Sequence, residues 1–329
     1  MGTPSTGVIT HAMFNSANIL VLTIKKGIFE RLESLAGARG LRIISLNRRE
    51  YPGTTPYSEE ECNVITHGNV NEMAEFLHQQ GLLIAFFIDG LLQELSLPNQ
   101  LAIAGWSQGN TFSTALLAAI DRMPVDTRER LSHAVDHFFL WDPPETALGI
   151  IPIEAMFKKM MQELGTKPTA EERGIVFARI VAGYYQHGPL RDLSDLSDTP
   201  NPTKRNTMDA MLPEELNAVI AFQSNYDTVM LRPGLESARS AQVDRALLDT
   251  KVRAAWNGLR VWYWYGEASL WNCIHAAWTI EDKAGTSGLI EFKPLSGANH
   301  FVSLDYTHSD RILIDKSYCS SSGMSLSVH

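Results

Sequence analysis

LAIAGWSQG, residues Leu101 to Gly109, is the stretch on which the fold turns. Leu101 to Ala104 are all apolar with no alternation, the pattern of a short strand buried on both faces. A helical run from about Asn110 to Met123 follows at once. Between them Gly105-Trp106-Ser107-Gln108-Gly109 places a serine at the tip of a strand-to-helix bend. A bend that sharp strains the backbone of its tip residue, so the positions two residues either side must be small. Gly105 and Gly109 meet that demand. The hydroxyl is lifted out of the sheet and the following helix points its positive end at it. The pentapeptide alone is common; a strand before it and a helix after it make it specific.

Working outward, the same alternation recurs. Strands are expected at Gly7–Thr10, Leu41–Leu46 and His137–Trp141, and Ile19–Leu35 carries helical spacing. Asn69 opens a long helix with Glu72 in capping-box position, and Pro98 stops it. Strand and helix in this rhythm predict an α/β fold, a mostly parallel sheet with helices on both faces. The rhythm breaks between about Pro143 and Asn257. Only helical segments stand there, at Ile153–Leu164, Ala170–Tyr185 and Pro213–Tyr226, with a polar loop from Asp192 to Arg205. Strands resume at Leu259–Tyr265 and Leu289–Pro294. The expected organisation is a core of residues 1–142 and 258–329 carrying a helical cap or lid, 143–257.

Composition narrows the function classes. The 329 residues, 44% of them hydrophobic, suffice for a sizeable core, and the net charge of −9 holds no basic stripe that could track a phosphate backbone. Nucleic acid is therefore not an expected partner. Cys62, Cys273 and Cys319 are too far apart in sequence for a CxxC site, and no His/Cys cluster has metal-ligand spacing. No metal and no cofactor are expected. Gly81–Leu97 is apolar but interrupted by Asp89 and Glu94, and reads as a buried helix rather than a membrane span. The opening MGTPSTGVITHAMF has no basic or apolar leader pattern, and the terminal Ser-Val-His is not a peroxisomal address, so a soluble cytoplasmic protein is expected.

A serine hydroxyl needs a base to take its proton. Of ten histidines, His300 alone lies just past a sheet strand, in the small-residue loop Leu295–Phe301, downstream of Ser107. It is the expected base. Trp106 and the helical insertion are expected to shape a pocket beside the serine, and Met156, Met160, Met161, Phe177, Tyr184, Tyr185 and Phe222 could line it, although such a stripe more often packs one helix on another.

The segments THAMFNSAN, SLNRREYPGTTPYS, AGWSQG, WYWYGEAS and GANHF resemble the α/β-hydrolase superfamily, in particular fungal members associated with secondary-metabolite and toxin clusters. The resemblance spans about residues 7–302 and is tightest at the serine bend and the histidine loop. It implies a catalytic acid. The usual slot follows the penultimate strand, and here it reads Gly266-Glu267-Ala268-Ser269, with a serine where an aspartate is customary. Some members carry the acid one strand earlier, where this chain has Trp141-Asp142-Pro143, so Asp142 is the expected acid and Glu267 the alternative. The resemblance further implies an oxyanion hole from the backbone of Gln108 with Ala12 or Met13, Ala12 standing where the family has glycine. The turn Arg48–Gly53 is expected to be structural.

The activity implied is hydrolysis of a carboxylic ester or thioester of an apolar small molecule through Ser107, His300 and Asp142. Epoxide hydrolases and dehalogenases of this fold would want an aspartate at position 107. A catalytically degenerate scaffold that binds a ligand without hydrolysis is the alternative. Three departures stand out: the chain begins close to its first expected strand, Ile19–Lys26 fits the resemblance poorly, and the tail after Asp310 becomes serine-rich.

Overall fold

A computed structural model describes residues 17–23, 29, 32, 36–37, 41–50, 54–95, 100–212, 216 and 226–303. Among the described residues six parallel strands form one sheet. They are β1 (Ala17–Thr23), β2 (Leu41–Asn47), β3 (Leu101–Trp106), β4 (Val135–Trp141), β5 (Arg260–Gly266) and β6 (Glu291–Leu295), in spatial order 2-1-3-4-5-6. The order reverses between β1 and β3, the kind of place where open parallel sheets leave a crevice at their carboxyl ends. Ser107 stands at the carboxyl end of β3, on that crevice.

Ala17–Thr23 corrects the helical expectation for the start of Ile19–Leu35. It is an inner strand, paired Asn18 to Arg42 on one side and Asn18 to Leu101 on the other. The unbroken run Ile19-Leu20-Val21-Leu22 satisfies a helical period and a buried strand alike, and pairing on both sides settles where its backbone groups go. The expected strand at Gly7–Thr10 lies outside the described residues.

The helices are α1 (Glu59–His67), α2 (Val70–Glu94), α3 (Asn110–Ala118), α4 (Val125–Ala134), α5 (Glu154–Gly165), α6 (Ala170–Val181), α7 (Tyr226–Met230), α8 (Glu236–Leu248), α9 (Thr250–Ala255) and α10 (Trp271–Ala284). Asn69 caps α2 as expected: its side chain accepts from the N–H groups of Asn71 and Glu72, and the Glu72 carboxylate returns to the Asn69 N–H. No helix of the described residues is long and apolar enough to cross a membrane.

Alternate residues of the strands feed two separate cores, as the two-residue period requires. Phe138 and Leu140 of β4 join Ile103, Val261 and Tyr263 on the face covered by α2, α3 and α8. Phe139 and Trp141 join Trp106, Trp262 and Trp264 on the other face, with Phe29, Leu32 and Phe301. On the first face α2 and α3 nearly touch. A Cβ on Gly81 would lie 2.4 Å from the Ala115 carbonyl oxygen, so only glycine allows that approach.

The chain between β4 and β5 has two unlike parts. α8 sends Val243, Ala246 and Leu247 into the first core, and Trp256 is fully buried there with its indole N–H on the Leu117 carbonyl at 3.0 Å. α5 and α6 contain no fully buried residue. The two parts meet at Gly149, whose φ is +68° and whose missing Cβ would lie 2.3 Å from Glu236 O and Ser240 N.

Candidate active site

Ser107 has φ +53°, a left-handed conformation that costs a non-glycine residue on the order of 1–3 kcal/mol. Its neighbours explain how the bend is held. A Cβ on Gly105 would sit 2.2 Å from Ser113 Oγ, so the turn closes only over glycine. Asn110, the first residue of α3, donates its amide to Ser107 O at 2.8 Å and to Trp141 O at 3.3 Å, tying the bend to the end of β4. A short 3-10 turn, Ser107–Gly109, leads from the serine into α3, and Gln108 lies at its centre.

Three strand ends converge on this point. His300 Nε2 lies 2.8 Å from Ser107 Oγ, and His300 Nδ1 lies 2.6 Å from Asp142 Oδ2. A carboxylate only accepts, so Nδ1 carries the proton and Nε2 is left as the acceptor facing the serine hydroxyl. All three groups are buried, Asp142 at 1% exposure and His300 at 4%.

Asp142 is itself held on every side. Its φ is +48°, its N–H donates to Trp264 O at 2.7 Å, and Oδ1 accepts from the Gly266 N–H at 3.0 Å. Oδ2 also accepts from the Ser269 hydroxyl at 2.7 Å. Ser269, after β5, is thus a donor to Asp142 at the end of the neighbouring strand β4. The two Asp142 carboxylate oxygens receive three hydrogen bonds, counting the one from His300. Glu267 is exposed at the rim, with its backbone N–H on Leu295 O, and among the described residues nothing joins its carboxylate to His300.

Trp106 performs a task that its position in the pentapeptide did not suggest. It is buried, and its indole N–H donates to the His300 carbonyl at 3.1 Å while the two rings lie 4.9 Å apart. Cys273 Sγ, 3.5 Å from Asp142 O and 3.7 Å from His300 Nδ1, completes a Cys-His-Asp group of metal-ligating types. The nitrogen and oxygen it would offer a metal are already bonded to each other, and burial, helped by Asp142, pushes the thiol well above its ordinary value. The group does not suit a metal. Cys62 and Cys273 are free thiols.

Of the remaining expectations, Ala12, Met13, Phe222 and Cys319 lie outside the described residues. Met156 and Met160 pack with Tyr185 against Leu270, Trp271 and Ile274, as helix-packing residues do, and Met161 and Phe177 are exposed. The Arg48–Gly53 turn is an anchor where it is described. The Arg48 guanidinium lies 3.6 Å over the Phe112 ring, Arg49 pairs with Glu61 at 2.8 Å, and Glu50 accepts from the Tyr57 N–H. Sequence reasoning missed Asn110, the Ser269 hydroxyl and Asn299. An asparagine at a helix start or beside a candidate base was the visible signal for two of them.

No protein-family model and no curated protein matches the sequence. Among solved structures, an esterase from Exiguobacterium antarcticum superposes with a TM-score of 0.52 at 11% identity, over 94% of this chain and 92% of that one. A haloalkane dehalogenase loop variant from Bradyrhizobium elkanii gives 0.50 at 13% identity, over 96% of this chain and 94% of that one. Identities this low speak to architecture alone. The sheet order, the strained serine after β3 and these superpositions agree that the chain has the α/β-hydrolase fold.

Proposed function

We propose that the chain is a serine hydrolase that cleaves a carboxylic ester or thioester of an apolar small molecule. The observation that carries this reading is the relay Ser107 Oγ, His300 Nε2 at 2.8 Å, then His300 Nδ1 and Asp142 Oδ2 at 2.6 Å. Ser107 attacks the carbonyl carbon as His300 takes its proton, and Asp142 stabilises the resulting imidazolium. The Gln108 N–H, with a second donor assigned to Ala12 or Met13, receives the negative charge that develops on the carbonyl oxygen. His300 then protonates the leaving alcohol or thiol, and water repeats the sequence on the acyl-serine. No metal or cofactor takes part. The serine at position 107 sets this chemistry apart from that expected of an aspartate nucleophile.

An apolar substrate is supported by what surrounds the site. Trp106, Trp141, Met208 and Phe301 share one cluster with Ala178 and Val181 of α6. We take the stretch 150–212 as the covering element within the expected 143–257, because α5 and α6 leave Met161, Ile175 and Phe177 outside the core. The resemblance to fungal secondary-metabolite hydrolases suggests the biological setting, and a cytoplasmic location fits it.

The test is labelling by a fluorophosphonate, followed by turnover of short- and medium-chain p-nitrophenyl esters. Folded protein should be modified at Ser107 and hydrolyse the esters, Ser107→Ala should do neither, and Asp142→Asn should lose far more turnover than Glu267→Gln. A folded protein that is never modified at Ser107 would instead favour the ligand-binding scaffold.

A further inference from the structure

Asn299 precedes the histidine and is 1% exposed, yet its side chain uses three hydrogen bonds. Oδ1 accepts from the Phe301 N–H at 3.0 Å, closing a turn of backbone around His300. Nδ2 donates to Ala182 O at 2.9 Å and to Thr207 Oγ1 at 2.8 Å. The amide cannot be reversed, since an N–H can only give to its oxygen and a carbonyl can only take from its nitrogen. Ala182 and Thr207 are themselves joined, Thr207 N–H to Ala182 O at 3.2 Å, at the base of the covering stretch.

The same stretch grips the acid's side of the site. The Tyr185 N–H donates to Ala268 O at 2.9 Å. His187 Nε2 donates to Ser269 O at 2.8 Å, while His187 Nδ1 accepts from the Ser197 N–H at 3.1 Å. Ser269 is the residue whose hydroxyl supports Asp142. Residues 182–207 thus hold the histidine loop at one point and the acid's supporting turn at another.

We infer that Asn299 is a positioning residue: it couples the seating of the covering stretch to the placement of the His300 imidazole, so the cover sets the rate of chemistry as well as enclosing substrate. This rests on the reading of Ser107 and His300 as the catalytic pair. Displacement of a catalytic group by about 1 Å can cost on the order of a hundred-fold. Losing Asn299 frees the loop on the cover side and leaves the Trp106 bond to His300 O holding the other.

The experiment compares wild type, Asn299→Ala, Asn299→Asp and Thr207→Val. For each, the second-order rate of fluorophosphonate labelling, kcat and KM for a p-nitrophenyl ester, and the fraction folded are measured. Asn299→Asp keeps the acceptor for Phe301 N–H and removes both donors to the cover; Thr207→Val removes one partner without touching the histidine loop. The expected result is a fall of about ten-fold or more in labelling rate and kcat per folded Asn299→Ala molecule, with KM within about two-fold. Asn299→Asp should fall comparably, and Thr207→Val by a few-fold in the same direction. Labelling rate and kcat per folded molecule unchanged in Asn299→Asp and Thr207→Val would overturn the inference, even if Asn299→Ala fails to fold. Loss confined to KM would overturn it as well. Wild type that folds but never labels at Ser107 fails differently: it removes the hydrolase reading, and this inference goes with it.

Discussion

α3 and α5 are both short helices near the site, and they are built on opposite terms. Every residue of α3 is buried, down to Thr111, Ser113 and Thr114, whose hydroxyls are satisfied within the core. α5 has no fully buried residue and lies in the stretch 150–212, touching the body through Met156, Phe157 and Met160. The difference separates two jobs. The region behind the sheet is packed into a continuous core, whereas the region in front is attached by a few hydrogen bonds and a thin apolar contact. Substitutions behind should act on stability, and those in front on turnover.

The largest expected effect breaks function while leaving both regions standing. Ser107→Ala should reduce turnover by at least about a thousand-fold with little change in the denaturant midpoint. Next, Trp256→Ala behind the sheet should cost about 3–5 kcal/mol of stability by urea unfolding, while kcat per folded molecule survives at low temperature. A fall in kcat matching the fall in stability would erase the proposed division.

Glycines sharpen the same contrast. Gly81→Ala should destabilise by about 1–3 kcal/mol, because its methyl would enter the Ala115 carbonyl of the rear packing. Gly165→Ala, at the end of α5 with nothing within 4 Å, should be neutral or stabilise by up to about 1 kcal/mol. The smallest effect concerns His187 in front. Burial holds its imidazole below the ordinary 6.5, and its neutral form both gives to Ser269 and accepts from Ser197. The unfolded chain therefore binds the proton first as pH falls. Its share of stability is complete above about pH 6.5 and is lost as pH drops toward the lowered folded value. Urea midpoints measured between pH 7.5 and 5 should decline less steeply in His187→Asn than in wild type, the ranges being about those of an ordinary histidine titration.

How far the sequence could be read depends on how local each determinant is. The bend at Gly105–Gly109 is local: one strand, two glycines and one helix specify it within nine residues, and the sheet follows from the same rhythm. Asp142 was legible only through a resemblance, since an aspartate before two prolines otherwise reads as a turn. β1 misled because Ile19–Leu22 fits either period, and only its two neighbouring strands decide between them. The partner of the Ser269 hydroxyl could not be read at all, and Asn299 showed only as an asparagine beside a candidate base. Each works across a long span of chain, on Asp142 and on Ala182 and Thr207, and no periodicity encodes such a meeting.

The contact between Gly149 and the first turn of α8 has a consequence for how such a protein can change. What lies between departs from and returns to one spot, so it behaves as a cassette plugged into a socket. A cassette of other length or shape could be exchanged there without stretching the polypeptide that crosses back beneath the sheet. Among what a replacement would need to bring are a carbonyl and a hydroxyl for Asn299 and donors for the Ala268 and Ser269 carbonyls. New substrate preferences could then arise with the reacting groups left in place.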